Sequence, residues 1–193
     1  MAKQRKPILQ LVLLGMLLVV LPIGSYLYLE WGYDYRVEAL GELEDFGPIA
    51  TAVDYELADQ ATVDVVYISP LSPSDSVATS LRNVYDAWDQ QPLVRFIGIG
   101  VEGPELIADT QQSLRISGSE GNLREFARLS AQDAHCAEVP VARRALVVDT
   151  SGTVRRCYDL HVGSEVNRLV EHLTMLVPMP EKQDIYLERE VEL

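Results

Sequence analysis

The chain has 193 residues, a net charge of -13 and a sequence pI near 4.6. That length accommodates one membrane segment and one globular domain of about 150 residues. A surface this acidic repels phosphate backbones and argues against nucleic acid as a partner.

The first six residues, MAKQRK, carry Lys3, Arg5 and Lys6. Residues 7–29 carry no charge, and Ile8 to Val20 are almost continuously apolar. A bilayer needs about 20 such residues, so 7–29 is predicted to be a transmembrane anchor. Acidic and aromatic residues follow, with Tyr26, Tyr28, Trp31, Tyr33 and Tyr35 suited to the outer interface. The positive-inside rule places residues 1–6 in the cytoplasm and the bulk of the chain outside, and the expected location is a bacterial inner membrane with the domain in the periplasm. A cleaved signal peptide is the rival reading. The apolar run is long for that role, and no A-x-A-like site follows it.

Residues 30–61 read as a connector. Val37, Leu40 and Leu43 fall at helical spacing from Tyr33 to Phe46, and Gly47-Pro48 ends that stretch. Ile49 to Ala61 is weakly patterned, with room for one short strand. Acid clusters in the connector and again in the tail, 179–193. Such runs read as solvated surface, docking onto a basic partner being the other reading.

Residues 62–178 read as the folded domain. Val63 to Ile68 is short and β-branched, the mark of a buried strand. A Ser/Pro-rich turn, SPLSPSDS, leads into a helix ending at Trp88. Ser72 or Ser74 is the expected cap, with Asp75 in the first turn. Val77, Leu81, Val84, Tyr85 and Trp88 form one apolar stripe. Leu93 to Gly100 is a second buried strand, and VEGPELIADTQQSLRISG is a loop. Gly98-Ile99-Gly100 reads as a strand end, too little for a phosphate loop. Ser119 with Asn122 starts a helix that buries Leu123, Phe126, Ala127 and Leu129. A polar loop then carries His135 and Cys136. Ala145 to Asp149 and Thr153 to Tyr158 form a hairpin across an Asp-Thr-Ser-Gly turn. Ser164 is the expected cap of a last helix with Val166, Leu169, Val170, Leu173 and Leu176 on one side, ended by Pro178 and Pro180. His172, beside that apolar side, reads as a surface or boundary residue. The order β-α-β-α-β-β-α, with a right-handed crossover, predicts an α/β fold. Its sheet is mixed and four-stranded, flanked by helices in the thioredoxin-like arrangement.

ALVVDTSGTVRRCYD followed by SEVNRLVEHLTMLVP resembles the C-terminal half of Sco/SenC proteins, membrane-anchored copper chaperones of cytochrome oxidase. The first strand, the VYDAW helix and the RFIGI strand resemble the N-terminal half. The resemblance implies a copper site made by a CxxxC motif after the first strand and a histidine before the third. Here Ser69, Pro70, Ser72, Pro73 and Ser74 stand in the turn, and PVARRA precedes the third strand. Hydroxyls are poor ligands for Cu(I) and cannot exchange with a disulfide. The expectation is therefore a degenerate member with no cofactor and no enzymatic activity. It would act as an assembly or accessory factor of a respiratory membrane complex.

The two cysteines lie elsewhere. Cys136 is on the loop entering the third strand and Cys157 is on the fourth. A disulfide closing a loop of about 20 residues is the leading reading in an oxidising compartment. Two unlinked cysteines are the second reading. The third is a relocated copper or redox site from His135, Cys136, Cys157 and His161, which would restore chaperone or thiol-disulfide activity. A serine nucleophile among Ser69, Ser72, Ser74 and Ser76 is the least favoured reading, because no His-Asp pairing is readable from the sequence and capping explains these serines better. A purely structural subunit is the remaining alternative.

Overall fold

The computed structural model describes residues 5–49, 62–69, 75–100 and 112–177. The chain divides into two units, Met1–Leu43 and Glu44–Leu193.

The first unit is a helix, α1 (Arg5–Gly41), with Pro22 inside it. It continues through Tyr33–Gly41, where a separate connector helix is expected from sequence. Apolar side chains from Leu13 to Leu29 are exposed all round the helix, which is the pattern of a membrane span rather than of a surface helix with one apolar stripe. Its 37 residues extend about 55 Å at 1.5 Å per residue, more than the ~30 Å hydrocarbon layer requires. Among the described residues, Leu13–Gly41 is the one stretch of helix long and apolar enough to cross a bilayer.

The second unit is a mixed sheet with helices on both faces. Its strands are β1 (Val63–Ser69), β2 (Val94–Gly100), β3 (Ser113–Ser117), β4 (Arg144–Val148) and β5 (Val154–Asp159). Their order is β3-β2-β1-β4-β5. The pairs β1/β2 and β2/β3 are parallel, whereas β1/β4 and β4/β5 are antiparallel. The sheet therefore has five strands where the sequence predicts four. The added strand, SLRIS, lies in the stretch read as a loop. It is short, half-exposed and paired on one edge to β2, so it lacks the continuous apolar run that marks a buried strand.

Two cores follow from the alternation of side chains along the strands. On one face Val63, Val65, Phe96, Val147 and Tyr158 pack against α2 (Ser76–Trp88) and α4 (Gly163–Leu176) through Val77, Leu81, Leu169 and Leu173. On the other, Val66, Ile97, Ile99, Leu146 and Val154 pack against Phe126 and Leu129 of α3 (Glu120–Ser130). Asp64 is also on this second face, and buried. Arg95, its neighbour across β1/β2, clasps it through Nε at 2.8 Å and Nη2 at 2.9 Å.

The caps differ partly from expectation. Asp75 is the N-cap of α2, its Oδ1 accepting from Val77 N at 3.1 Å; Ser72 and Ser74, the caps expected from sequence, lie outside the described residues. Ser119 and Asn122 form the expected capping box on α3. Helix α4 starts at Gly163 after Val162 with no side-chain cap, so Ser164 lies inside the helix. His172 is fully buried rather than at the surface. The Tyr158 hydroxyl meets its Nδ1 at 2.6 Å, which gives the ring a polar partner in an otherwise apolar core.

The β4–β5 turn is organised by Asp149. Its Oδ1 accepts from Ser151 N at 2.8 Å and Thr153 N at 3.1 Å, and its Oδ2 from Arg155 Nε at 2.7 Å. Burial pushes the Asp149 carboxyl up, but hydrogen bonds from Ser151, Thr153 and Arg155 outweigh it and hold the group below its ordinary value. The stability it contributes is therefore complete above the unfolded-state pKa of about 3.9. It is lost as pH falls through the lower, folded-state value. Asp149→Asn should cost about 1–2 kcal/mol at pH 7. It should also flatten the acid limb of a stability-versus-pH profile measured by urea denaturation. An unchanged acid limb would show that Asp149 is not a linked group.

Candidate functional site

The strand order brings several chain segments together beside the end of β1. They are the ends of β1 and β2, the start of β4, the end of β5 and the first turn of α2. Ser69 closes β1 and is buried. Opposite it, Gly100 lies so close that an added Cβ would fall 1.6 Å from the Ser69 carbonyl oxygen, so only glycine fits there. Pro70, Ser72, Pro73 and Ser74 lie outside the described residues.

Past that turn, Ser76 opens α2 and its Oγ lies 2.7 Å from His161 Nδ1. The Asp75 carboxylate is more distant, at 3.4 Å from the same hydroxyl. The imidazole is thus the nearer of the two groups that can accept the Ser76 proton, when its own proton is on Nε2. His161 sits in the turn after β5. Its backbone N–H donates to Asp159 Oδ1 at 2.9 Å, and Arg143 Nε donates to the same oxygen at 3.1 Å. A second bond joins Arg143 Nη2 to Asp159 Oδ2. The chain is tied again by Leu160 N donating to Arg143 O at 2.9 Å. Asp159 is buried, whereas Ser76 and His161 are exposed. A rigid ion pair thus holds the turn that presents an accessible histidine to an accessible serine at the positive end of a helix.

The cysteines belong to the opposite face. Cys136 and Cys157 are joined in a disulfide, with Cα atoms 6.0 Å apart and a sequence separation of 21. Both are buried in the core under α3. Cys157 pairs with Leu146, in the middle of β4 rather than near its start. The 131–143 loop that carries Cys136 is fastened at two more points. Asp133 Oδ2 accepts from Cys157 N at 2.9 Å, and its Oδ1 accepts from His135 N at 2.9 Å. Arg144 is buried and donates to Val139 O at 2.8 Å and Ser130 Oγ at 2.7 Å. Burial pushes its guanidinium below the ordinary arginine value. Its neutral acceptors include groups at the C-terminal end of α3, where a helix dipole favours a cation.

The four candidate metal ligands are thus divided. His161 faces Ser76 on the α2 side. Cys136 and Cys157 are bonded to each other under α3, and His135, next to Cys136 in the chain, is exposed. Among the described residues no group of three or more His, Cys, Asp or Glu is placed to hold a metal ion. The Ser76–His161 pair is 85 residues apart in sequence, and only the adjacency of the β5 end and the α2 start brings it together. No sequence spacing announces it.

The pairing of the sheet, with a parallel β1/β2 crossover and an antiparallel β4/β5 hairpin, defines an α/β domain of the thioredoxin-like class. No family model matches the chain, and no curated protein matches it. Among solved structures it is similar to a SCO1/SenC family lipoprotein from Bacillus anthracis str. Ames. That likeness has a TM-score of 0.43 and 12% identity, over 61% of this chain and 83% of that one.

A buried disulfide has a measurable signature. In the native chain without reductant, a thiol reagent should label neither Cys136 nor Cys157, and after reduction in urea it should label both. Cys136→Ala with Cys157→Ala should lower stability by about 3 kcal/mol, the order expected for closing a loop of this size. Labelling of the native, unreduced protein would sink the disulfide.

Proposed function

We propose that the chain is a membrane-anchored, outward-facing Sco-like protein that works by interaction rather than by copper or thiol chemistry. Its role is that of an assembly or accessory factor for a respiratory membrane complex of the cytochrome oxidase type. The observation that carries this reading is the division of the cysteines from the sheet end described above. Ser69, Pro70, Ser72, Pro73 and Ser74 stand in the turn where the resemblance puts thiols, and both cysteines of the chain are in a buried disulfide on the other face. A buried disulfide offers an incoming thiolate no access, and its sulfurs are not the thiolates that Cu(I) prefers. Lys3, Arg5 and Lys6 before α1 support a cytoplasmic N-terminus with the domain outside. The anchor confines the domain to the membrane surface and raises its effective concentration near a membrane partner.

Two measurements test this. Affinity purification of the full chain from mildly cross-linked native membranes should recover oxidase-type subunits at well below one-to-one stoichiometry. Equal stoichiometry would instead identify a structural subunit, and recovery of no respiratory subunit would end the respiratory assignment. Titration of the unreduced full chain in detergent with Cu(I) should show no stoichiometric binding. Tight one-to-one binding abolished by Cys136→Ser would establish the copper-chaperone alternative.

A further inference from the structure

The geometry points to Ser76 as a nucleophile activated by His161, giving the domain an acyl-acceptor site for small activated esters. This goes beyond the interaction role, which needs no covalent step. Three observations carry it. The Ser76 hydroxyl is 2.7 Å from His161 Nδ1 and 3.4 Å from the nearest Asp75 oxygen, so the imidazole, in the tautomer with its proton on Nε2, is the nearer base. The two residues are exposed, so a reagent reaches the oxygen without opening the fold. His161 is held through its backbone by Asp159, which is itself fixed by Arg143. A nucleophile within hydrogen-bond reach of a positioned base is the arrangement that activates a serine.

Other serines are engaged differently. Ser130 Oγ lies between Ala127 O and Arg144, Ser119 Oγ meets Asn122, and Ser151 Oγ meets Asp149. None of those partners removes a proton at neutral pH as an imidazole does. The positive end of α2 adds to the effect, because it favours negative charge developing on Oγ during attack.

The step balances as an acyl transfer. Oγ attacks the ester carbonyl carbon as its proton passes to His161 Nδ1. The new C–O bond forms, the ester C–O bond breaks, and the alcohol leaves with the proton from the imidazolium. Water then releases the carboxylic acid by the same route, and no oxidant or metal is needed. The Asp159 carboxylate holds the backbone of His161 rather than its ring, so the pair works as a dyad and its natural scope is activated, unhindered esters.

The test uses the full chain in detergent with a fluorophosphonate probe. Attack by Oγ there forms a P–O bond and expels fluoride. Mass spectrometry should find one label on the peptide containing Ser76. Ser76→Ala should abolish it, while Ser119→Ala should leave it unchanged. His161→Gln, which keeps a hydrogen-bonding side chain but not the base, should slow labelling about 100-fold. Circular dichroism and thermal melts of each variant check that folding is retained. No label on Ser76, or a label whose rate is indifferent to His161→Gln, overturns the proposal. Co-purification with a membrane complex is read separately with Ser76→Ala, so the interaction role stands or falls on its own.

Discussion

The architecture depends on β1 being closed on every side. It is paired in parallel with β2 on one edge and antiparallel with β4 on the other, and both of its faces are buried. Such a strand cannot carry an unmatched polar side chain, because an uncompensated buried charge costs several kcal/mol. Asp64 is tolerated because its parallel partner in β2 is Arg95, which meets both carboxylate oxygens. A one-residue slip of β1 against β2 would separate that pair and exchange the residues of the two cores. The ion pair and the alternation therefore specify the same register. That register sets where Ser69 ends and where the start of β4 and the end of β5 lie beside it.

The two faces of the sheet are closed by different means. One has two helices, α2 and α4, and a continuous apolar core, with Tyr158 and His172 satisfying each other inside it. Among the described residues, the other is covered by the 11-residue α3, the irregular loop after it, and Phe46 and Ile49. A loop lying over a core brings backbone polar groups that need partners. Asp133, Arg144 and the disulfide supply the fastening that a second helix would otherwise give. Arg144 meets loop carbonyls and the end of α3, Asp133 takes a β5 N–H, and Cys136 is bonded to Cys157 on the same strand. The cysteines are thus accounted for by the thinner cover of this face.

Much of this was legible from pattern alone, for identifiable reasons. The strands that became β1, β2 and β4 are buried apolar runs, and the stripes of α2, α3 and α4 follow helical spacing, so local sequence and tertiary burial agree. The Cys136–Cys157 link was the leading reading because the hairpin and the loop that enters it bring the two positions near each other. Strand β3 was missed because SLRIS is an edge segment whose half-polar sequence carries no burial signal. His172 was misjudged because a single histidine on an apolar face looks like a boundary residue until a buried tyrosine hydroxyl is placed beside it. The cap of α2 went to Asp75 rather than to a serine, since a carboxylate at that point also meets the helix dipole. The Ser76–His161 contact depends on strand order, which single-residue periodicity does not encode.

That contact matters for the chemistry open to Ser76 at the start of α2. A cysteine at the start of α2 would need little help, because a helix N-terminus alone brings a thiol pKa into the range where thiolate exists at neutral pH. A serine hydroxyl starts far above that range, and the same helix end leaves it protonated. Replacing sulfur by oxygen there would make the position inert unless a base were supplied. In this chain His161 is within hydrogen-bond distance, on a turn held by the buried Asp159 and by Arg143. The absence of cysteine from residues 69–76 and the contact of Ser76 with His161 are therefore separate facts about the chain. The first follows from which residues stand in the turn, and the second from where the β5 end places its histidine.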